Sequence, residues 1–410
     1  MIEASEVRPL GLRRRVADIA IIGGAGHVGL PLAIVLANKR VRVLIYDIDR
    51  RALDLIRTGI MPFNDRGAEP LLRDALSENL LILSDDPSSL AAIPTVIITV
   101  GTPVDEFHNP TFTAIKRCAD ELIRYVQGEG VVILRSTVYP GVTDWLDEYF
   151  HSQGKQLYVA FCPERVLQGY AVEELQRLPQ IVGATSSEAE RRASKVFELF
   201  SPEIICLSPR QAELAKLFSN AYRYIQFAAS NQFYEIACLA GVDYYPVLDA
   251  MKKGYERLAD LPKAGFTAGP CLFKDTMQLS AFFKQRFILG HSAMVVNEGL
   301  PLFILDQIEK KRSLKTLTVG LLGMAFKADS DDPRSSLSYK LKKQLYLRAK
   351  EVLTTDPYVT SDPDVLPLDE VITKSDILIL CTPHSVYRDL DTRGKMTVDV
   401  WNFYGQGGLF

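Results

Sequence analysis

Several features that define whole classes of protein are missing from this sequence. Its six cysteines include no Cys-x-x-Cys pair, and its five histidines are scattered without the spacing of metal ligands. Dispersed thiols in a chain of 410 residues are more typical of a reduced compartment than of a disulfide framework or a zinc site. We therefore expect a cytoplasmic protein whose chemistry involves no metal ion.

The sequence also lacks an excess of charge of one sign and a long apolar run. Lys and Arg number 47 and Asp and Glu number 50, a net charge of −3, which gives no electrostatic reason to expect nucleic acid or an anionic membrane as partner. No apolar run approaches the roughly 18 residues that suggest a membrane span. The N-terminal segment contains Glu3 and Glu6 and no apolar signal-peptide core, so we expect neither a membrane partner nor secretion.

Apolar runs that alternate with segments of helical length make up most of the chain. They lie at 16–22, 41–46, 94–100, 131–135 and 157–161, and again at 317–322, 351–355, 376–381 and 397–400. This alternation is typical of a parallel sheet covered by helices on both faces. We predict an α/β fold with two Rossmann-like, doubly wound domains.

A long helix is predicted between the two alternating regions, at 209–240. Its apolar stripe comprises Leu217, Ala221, Ile225, Ala229, Phe233, Ile236 and Ala240. The helix is longer than an average globular helix, which suggests that it connects domains or forms a subunit interface. We therefore predict two nucleotide-binding-like domains joined by helices.

A glycine-rich turn follows the first apolar run. Residues 24–29 read Gly-Ala-Gly-His-Val-Gly, a strand precedes them, a helix follows, and Asp47 lies 23 residues after Gly24. The glycines permit a tight turn and close approach of a pyrophosphate at the helix N-terminus. Asp47 would bind an adenosine ribose diol and so favours NAD, while Arg50 and Arg51 leave NADP open.

Two further patterns carry possible chemistry. In the first, a Gly-Pro turn leads into Cys271 and Lys274 at a predicted helix start, where the helix dipole would favour a thiolate. The alternative is an unreactive cysteine in the core. In the second, Lys216 and Asn220 share one face of the long helix, with Arg223 close to that face. They could stabilise an oxyanion, or they could form an ordinary solvated helix face.

Polar loops follow three of the predicted strands. They are Gly101-Thr102-Pro103, Arg135-Ser136-Thr137 and Cys162-Pro163-Glu164. Ligands of doubly wound sheets bind beyond the carboxyl ends of the strands, where these loops are expected, although each loop could equally be ordinary turn chemistry.

Taken together, these segments resemble the UDP-glucose/GDP-mannose dehydrogenase family. The motifs, in order, are GGAGHVGLPLA, VGTP, RSTVYPG, FCPERVLQG, ELAKLFSNAYR, AGPCLFKD, GMAFKADSDDPR and TTDPY. The resemblance extends from about residue 18 to about residue 402. It implies an NAD-binding domain at 1–205, a central helical domain at 206–311 that forms a homodimer, and a nucleotide-sugar (UDP)-binding domain at 312–410.

The resemblance also implies roles for individual residues. The implied catalytic residues are Cys271, Lys216, Asn220, Asp275, Thr137 and Glu164. The implied cofactor-binding residues are Gly24, Gly26, His27, Val28, Gly29, Asp47, Thr102, Pro103, Thr137 and Arg334. The implied substrate-binding residues are Glu164, Arg165, Val166, Lys216, Asn220, Arg223, Gly269 and Lys327. No metal ligand is implied.

The implied reaction is an NAD-dependent four-electron oxidation of a nucleotide-sugar C6 alcohol to the uronic acid through a thioester on Cys271. UDP-glucose is the first expectation, because the run 274–276 resembles UDP-glucose dehydrogenases. The alternative is a UDP-N-acetylhexosamine (UDP-ManNAc or UDP-GlcNAc), which Arg223 and the pair at 331–332 favour. Two rivals from other classes are a single-step hydroxyacid dehydrogenase and a catalytically silent nucleotide-binding module.

Three positions depart from the family pattern. The run 398–402 contains no arginine, where many UDP-glucose enzymes have one that contacts substrate. Arg135 stands where an acidic residue is usual, and Gln168 where a second glutamate is frequent. The sugar is therefore the open question.

Overall fold

The computed structural model describes residues 16–105, 111–267 and 269–406. The described residues up to Lys216 form one compact unit, and those from Leu217 onward form a second. The N-terminal segment with Glu3 and Glu6 lies outside the described residues.

The first unit is built on an eight-stranded sheet. Its strands are β1 (Ile19–Ile22), β2 (Val43–Tyr46), β3 (Leu81–Ser84), β4 (Thr95–Ile98), β5 (Gly130–Leu134), β6 (Leu157–Phe161), β7 (Gln180–Ala184) and β8 (Ile204–Leu207). The order is β3-β2-β1-β4-β5-β6-β7-β8, and only the β6–β7 pair is antiparallel. The first six strands have the order of a dinucleotide-binding Rossmann sheet.

Helices cover both faces of this sheet. They are α1 (Gly29–Asn38), α2 (Arg50–Arg57), α3 (Ala68–Ser77), α4 (Thr113–Tyr125), α5 (Val142–Ser152), α6 (Ala171–Glu174) and α7 (Ser187–Phe197). Successive side chains of a strand point to opposite faces, so Ile19 and Ile21 join one apolar cluster while Ala20 and Ile22 join another. A strand buried on both sides needs apolar residues throughout, which explains the uninterrupted runs in the sequence.

Helix α8 (Pro209–Leu239) is the predicted long helix, with 31 residues. The predicted apolar stripe is only partly buried. Leu217 and Ala221 are buried, whereas Phe233 and Ile236 are 43% and 58% exposed. The buried positions in this part of the helix are instead Ala228, Ser230, Asn231, Tyr234 and Ala237.

The second unit combines helices with a smaller parallel sheet. Its elements in chain order are α9 (Tyr244–Lys252), α10 (Pro270–Phe282), α11 (Ile288–Lys311), β9 (Thr318–Leu322), α12 (Leu337–Leu345), β10 (Glu351–Thr355), α13 (Leu368–Lys374), β11 (Ile377–Leu380) and β12 (Met396–Val398). The strand order is β10-β9-β11-β12. This is the second Rossmann-like sheet that the sequence predicts.

Helix α11 is the one helix of the described chain that is long and apolar enough, by length and composition, to cross a membrane. We expected no apolar stretch of this length from the sequence, because polar residues such as Asn297 and Glu298 interrupt it. Its Leu300, Ile304 and Ile308 are fully buried in the core cluster of the second unit. These contacts are those of a core helix.

Candidate active site

The glycine-rich turn of the first unit lies between β1 and α1. A Cβ atom on Gly24 would lie 2.8 Å from the carbonyl oxygen of Ile21, and one on Gly29 would lie 2.6 Å from that of Gly23. Packing therefore requires glycine at both positions. The nearest atom to a Cβ on Gly26 would be 3.4 Å away, so the protein's own packing does not forbid a side chain there. A ligand that approaches the backbone does explain this glycine.

The turn opens onto a cleft of about 360 Å³ whose lining includes Gly26 and Asp47. Asp47 is held in place from two directions, because its Oδ2 accepts from the amide of Ala25 at 3.0 Å and its Oδ1 from that of Asp49 at 3.0 Å. Arg50, which kept NADP possible as the cofactor on sequence grounds, donates to Asp85 at 2.6 Å. An oriented carboxylate beside an open glycine turn fits the ribose and pyrophosphate of NAD.

The other predicted cofactor residues lie along the same edge of the sheet. The ring of His27 stacks on Phe63 with centroids 4.1 Å apart, and Val28 immediately precedes α1. Thr102 is buried, and its hydroxyl donates to the carbonyl oxygen of Thr137. Pro103 is exposed, and its carbonyl oxygen accepts from the amide of Thr111 at 3.1 Å.

Sequence reasoning missed one wall of this cleft. Arg117, Cys118 and Glu121 of α4 line it, and the hydroxyl of Tyr46 donates to Glu121 at 3.2 Å. Desolvation is the main cause that raises the pKa of Tyr46, and the charge of Glu121 adds to it. No local signal marks these residues, because only the parallel strand order brings α4 beside the glycine turn.

Glu164 lies in the loop after β6, and both of its carboxylate oxygens accept hydrogen bonds. Its Oε1 accepts from the amides of Arg165 and Val166 at 2.7 and 3.0 Å. Its Oε2 accepts from Nε of Arg135 at 3.0 Å and also from Nη2. The Arg165 side chain turns away and donates to the carbonyl oxygen of Pro179.

Arg135 is a fully buried arginine. Its Nη1 donates to the carbonyl oxygen of Cys162 at 3.2 Å and to Oε1 of Gln180 at 3.0 Å, and its guanidinium lies over the Phe197 ring. The residue that departs from the family pattern is thus the one that holds the Glu164 carboxylate. Sequence reasoning noted the departure but not this partner.

In the second unit, Cys271 is exposed in the first turn of α10. Gly269 caps that helix with φ at 117°, in the left-handed region, and Pro270 is its first residue. The alternative of a buried core cysteine therefore does not hold. A thiol in the first turn lies at the positive end of the helix dipole, which favours the thiolate.

Asp275 lies one turn further along α10 and is fully buried. Its Oδ2 accepts from Nδ2 of Asn220 at 2.5 Å, and its Oδ1 pairs with Nζ of Lys274 at 2.9 Å. Two of the predicted catalytic residues, Asn220 and Asp275, are thus in direct contact.

The three polar residues of α8 do not share one environment. Lys216 and Asn220 are buried, with 9% and 7% of their surfaces exposed, whereas Arg223 is exposed. The reading as a solvated helix face therefore applies to Arg223 and not to the other two residues.

The loop after β9 carries Lys327 and Arg334. It approaches the start of α10, because a Cβ on Gly269 would lie 2.7 Å from the Phe326 ring. Arg334 forms a two-pronged ion pair with Asp332, with its Nη2 2.6 Å from Oδ2. The hydrogen bond to Asp332 is the largest cause that raises the pKa of Arg334, and the charge of Cys271 contributes.

Family models match three regions of the chain. Residues 17–201 match the NAD-binding domain of the UDP-glucose/GDP-mannose dehydrogenase family, residues 210–298 its central domain, and residues 320–406 its UDP-binding domain. The cofactor predicted from the glycine turn and Asp47, NAD, is confirmed by the first match.

The chain is also similar to curated proteins over nearly its whole length. It is 29% identical to the UDP-N-acetyl-D-mannosamine dehydrogenase of Pyrococcus horikoshii, with 91% of each chain covered. It is 28% identical to the NDP-N-acetyl-D-galactosaminuronic acid dehydrogenase of Ralstonia nicotianae, with 90% of this chain and 91% of that protein covered.

Solved structures confirm the predicted fold. The UDP-D-ManNAc dehydrogenase of P. horikoshii superposes with a TM-score of 0.87 at 27% identity, covering 94% of this chain and 95% of that one. A UDP-glucose dehydrogenase from Pyrobaculum islandicum superposes with a TM-score of 0.86 at 26% identity, covering 97% and 96%.

Proposed function

We propose that this chain, which belongs to the UDP-glucose/GDP-mannose dehydrogenase family, oxidises the C6 alcohol of a nucleotide-diphosphate sugar to the uronic acid. The observation that carries the proposal is the exposed thiol of Cys271 at the start of α10, one turn from the Asp275 carboxylate that Asn220 and Lys274 hold. A hydroxyacid dehydrogenase would need the amide and a lysine but not this thiol, and a silent module would need none of them.

The thiol explains how an alcohol can be oxidised twice. The glycine turn and Asp47 would hold NAD, which would supply the hydride acceptor for each oxidation, with a fresh NAD for the second. The Cys271 thiolate adds to the carbon of the intermediate aldehyde and gives a thiohemiacetal, whose oxidation leaves a thioester. Water then cleaves the C–S bond, which releases the acid and the free thiol. One alcohol therefore yields two NADH.

The remaining catalytic roles follow from residue type and family membership. Lys216 supplies positive charge, and Asn220 a neutral donor, for the oxygen that becomes negative at C6. Asp275 assists activation of water, while Thr137 and Glu164 position water and assist proton transfer. Because donors already surround both oxygens of Glu164, positioning is the part of that role that its environment supports.

The binding residues complete the proposal. NAD is held by the glycine turn, Asp47, the loop at 102–103, Thr137 and Arg334. The nucleotide sugar is held by residues 164–166, Lys216, Asn220, Arg223, Gly269 and Lys327. We propose the domain bounds expected from the sequence, 1–205, 206–311 and 312–410, which the three matched regions support. The cytoplasmic location proposed from the dispersed cysteines of the sequence completes the proposal.

We propose a UDP-N-acetylhexosamine as the substrate class. UDP-glucose was the first expectation from the sequence, but the relatives from P. horikoshii and R. nicotianae are named for N-acetylated sugars. Arg223 and the acidic pair at 331–332 support the same choice. The similar fold of a UDP-glucose dehydrogenase makes UDP-glucose the competitor to include in any assay.

The test is a screen of NADH formation with UDP-ManNAc, UDP-GlcNAc, UDP-glucose and GDP-mannose. We expect a UDP-N-acetylhexosamine to give the highest kcat/KM and two NADH per sugar consumed. Cys271→Ser should lower acid formation by at least about 10³-fold, because a hydroxyl is a far weaker nucleophile at neutral pH. One NADH per sugar, or undiminished acid formation by Cys271→Ser, would sink the four-electron mechanism.

We further propose that the chain forms a homodimer through its central helices. Phe218, Tyr222, Ile236 and Leu239 of α8 are 55–66% exposed, as are Ile288 and Leu289 of α11 at 68% and 66%. Phe218, Tyr222 and Ile236 recur at helical spacing on one face of α8, and an exposed apolar face marks an interface. Light scattering should report a dimer for the native chain and a monomer for Ile236→Asp. The control Leu55→Asp, on exposed Leu55 of α2, should remain dimeric.

A further inference from the structure

The edge of the second sheet where the parallel strands β9, β10 and β11 end is closed by a buried histidine. Asp356 directly follows β10 and His384 follows β11, and neither side chain has any exposed surface. Nε2 of His384 lies 3.0 Å from Oδ2 of Asp356. The same carboxylate accepts from four backbone amides at 2.6–2.9 Å, two in the turn after β9 and two after β10.

The other ring nitrogen of His384 has a different partner. The amide of Asp329 donates to Nδ1 at 2.9 Å. A backbone amide is only ever a donor, so Nδ1 carries no proton, and Nε2 carries the hydrogen that it donates to Asp356. Burial alone would raise the pKa of Asp356, but the hydrogen bond from His384 and the amide donors lower it. The ring therefore joins a fixed anion to one particular amide.

That amide lies in the middle of the loop that carries Lys327 and Arg334. Asp329 has φ at 54°, and its Oδ1 accepts from the amide and the hydroxyl of Ser385 at 2.7 and 2.9 Å. The loop is thus held at Asp329 from two sides by consecutive residues, His384 and Ser385. Its ends are held separately, because the amide of Phe326 donates to the carbonyl oxygen of Asp332 at 3.0 Å.

We infer that His384 is a positioning residue for nucleotide-diphosphate binding: through Asp329 it holds the loop at 326–334 in the one conformation that presents Lys327 to the substrate. This inference rests on the proposed role of Lys327 as a substrate contact. A lysine on a loop held at its ends and middle loses less conformational freedom when it binds a diphosphate. We call the contacts of Asp329 with His384 and Ser385 the clasp. Loss of the clasp should therefore lower the affinity for the nucleotide and leave the rate of the chemical steps unchanged.

The test measures the affinity of UDP alone by calorimetry, which requires neither NAD nor knowledge of the sugar. We expect His384→Phe and Asp329→Gly to weaken UDP binding about tenfold, as the loss of one or two hydrogen bonds implies. His384→Asn should retain most of the affinity, because its amide oxygen can take the place of Nδ1 and accept from Asp329. His384→Gln, whose polar end reaches toward Asp356 instead, should not. Affinity for NAD should be unchanged in all four.

Further variants keep the outcomes separate. Asp391→Ala removes an exposed carboxylate that likewise caps a turn, through the amide of Arg393, and should bind UDP as the native chain does. Lys327→Ala should weaken UDP binding. If it does and the Asp329 and His384 variants do not, the clasp is wrong and the proposed function stands. If Lys327→Ala binds normally, the premise about Lys327 fails and the inference fails with it.

A purely structural role for His384 also has a distinct signature. Loss of UDP and NAD affinity together, with a lower unfolding temperature, would overturn the inference. Should His384→Phe fail to fold, the contrast between His384→Asn and His384→Gln decides. Asp329→Gly keeps the backbone amide that donates to His384, so it tests only the contacts of the Asp329 carboxylate with Ser385.

Discussion

At the scale of residues, Arg135 departs from the family pattern and forms a buried ion pair with Glu164. A buried guanidinium needs an anion and further acceptors, and it obtains them from Glu164, Gln180 and the carbonyl oxygen of Cys162. The arrangement leaves Glu164 with donors on both oxygens. Any proton transfer at this carboxylate must compete with them.

Arg135→Met should therefore be strongly destabilising. The Glu164 side chain is only 13% exposed, and the substitution removes its cationic partner. An unpaired charge at such a site lowers the free energy of unfolding by about 3–5 kcal/mol. Urea unfolding measures the difference. The control Arg177→Met removes an exposed i,i+4 pair with Glu173 and should change stability by less than about 0.5 kcal/mol. Equal effects of the two substitutions would contradict the buried-pair interpretation.

At the scale of elements, the start of α5 depends on a residue from another helix. Gly141, which precedes α5, has no side chain to cap the helix, and Glu213 of α8 takes over this function. It accepts from the amides of Gly141 and Thr143 at 2.6 and 2.9 Å and from the Thr143 hydroxyl at 2.6 Å. Desolvation raises the pKa of Glu213, and these donors oppose the rise.

Glu213→Ala should lower the free energy of unfolding by about 1–3 kcal/mol, because it removes a cap and leaves buried amides without acceptors. Thermal unfolding followed by circular dichroism measures the change. The raised pKa means that ionised Glu213 is relatively unfavourable in the fold, so the cost of the substitution should be larger at mildly acidic pH than at pH 8. Glu203→Ala, at an exposed glutamate, should have no comparable effect.

At the scale of the whole molecule, the chain contains two Rossmann-like sheets with unequal nucleotide edges. In the first unit Asp47 lines an open cleft of about 360 Å³ beside Gly26. In the second, Asp356 is enclosed by His384, and a Cβ on Gly323 would lie 2.5 Å from Cβ of Thr382. Both sheet edges have an aspartate and a glycine turn at corresponding positions. At the second edge, protein atoms occupy the space beside the aspartate.

NAD titration should therefore saturate at one dinucleotide per chain. Gly26→Ala should fold normally yet weaken NAD binding at least about tenfold, because its Cβ would occupy the path of the pyrophosphate. Gly29→Ala should instead destabilise the first unit, since its Cβ would lie 2.6 Å from Gly23 and Gly24. Gly299→Ala, in open space on α11, is the neutral control. Two binding sites per chain, or loss of only half the signal in Gly26→Ala, would contradict this expectation.

The sequence by itself determined the local elements and the cofactor turn. Strands buried on both faces are uninterrupted apolar runs, so most of the predicted strands lie within one to three residues of those observed. The strands that it did not single out are β3 and β8, four-residue runs at the sheet edges, and β7, which pairs antiparallel with β6. The glycine spacing with Asp47 is equally local, since one strand–turn–helix–strand unit contains it.

Only the tertiary structure decided which side chains act in pairs. Arg135 and Glu164 are 29 residues apart, Asp356 and His384 are 28 apart, and Asn220 and Asp275 are 55 apart. No periodicity in the sequence relates such positions. Burial makes each pairing obligatory, because a charged or polar group removed from water must find its partner wherever the fold brings one.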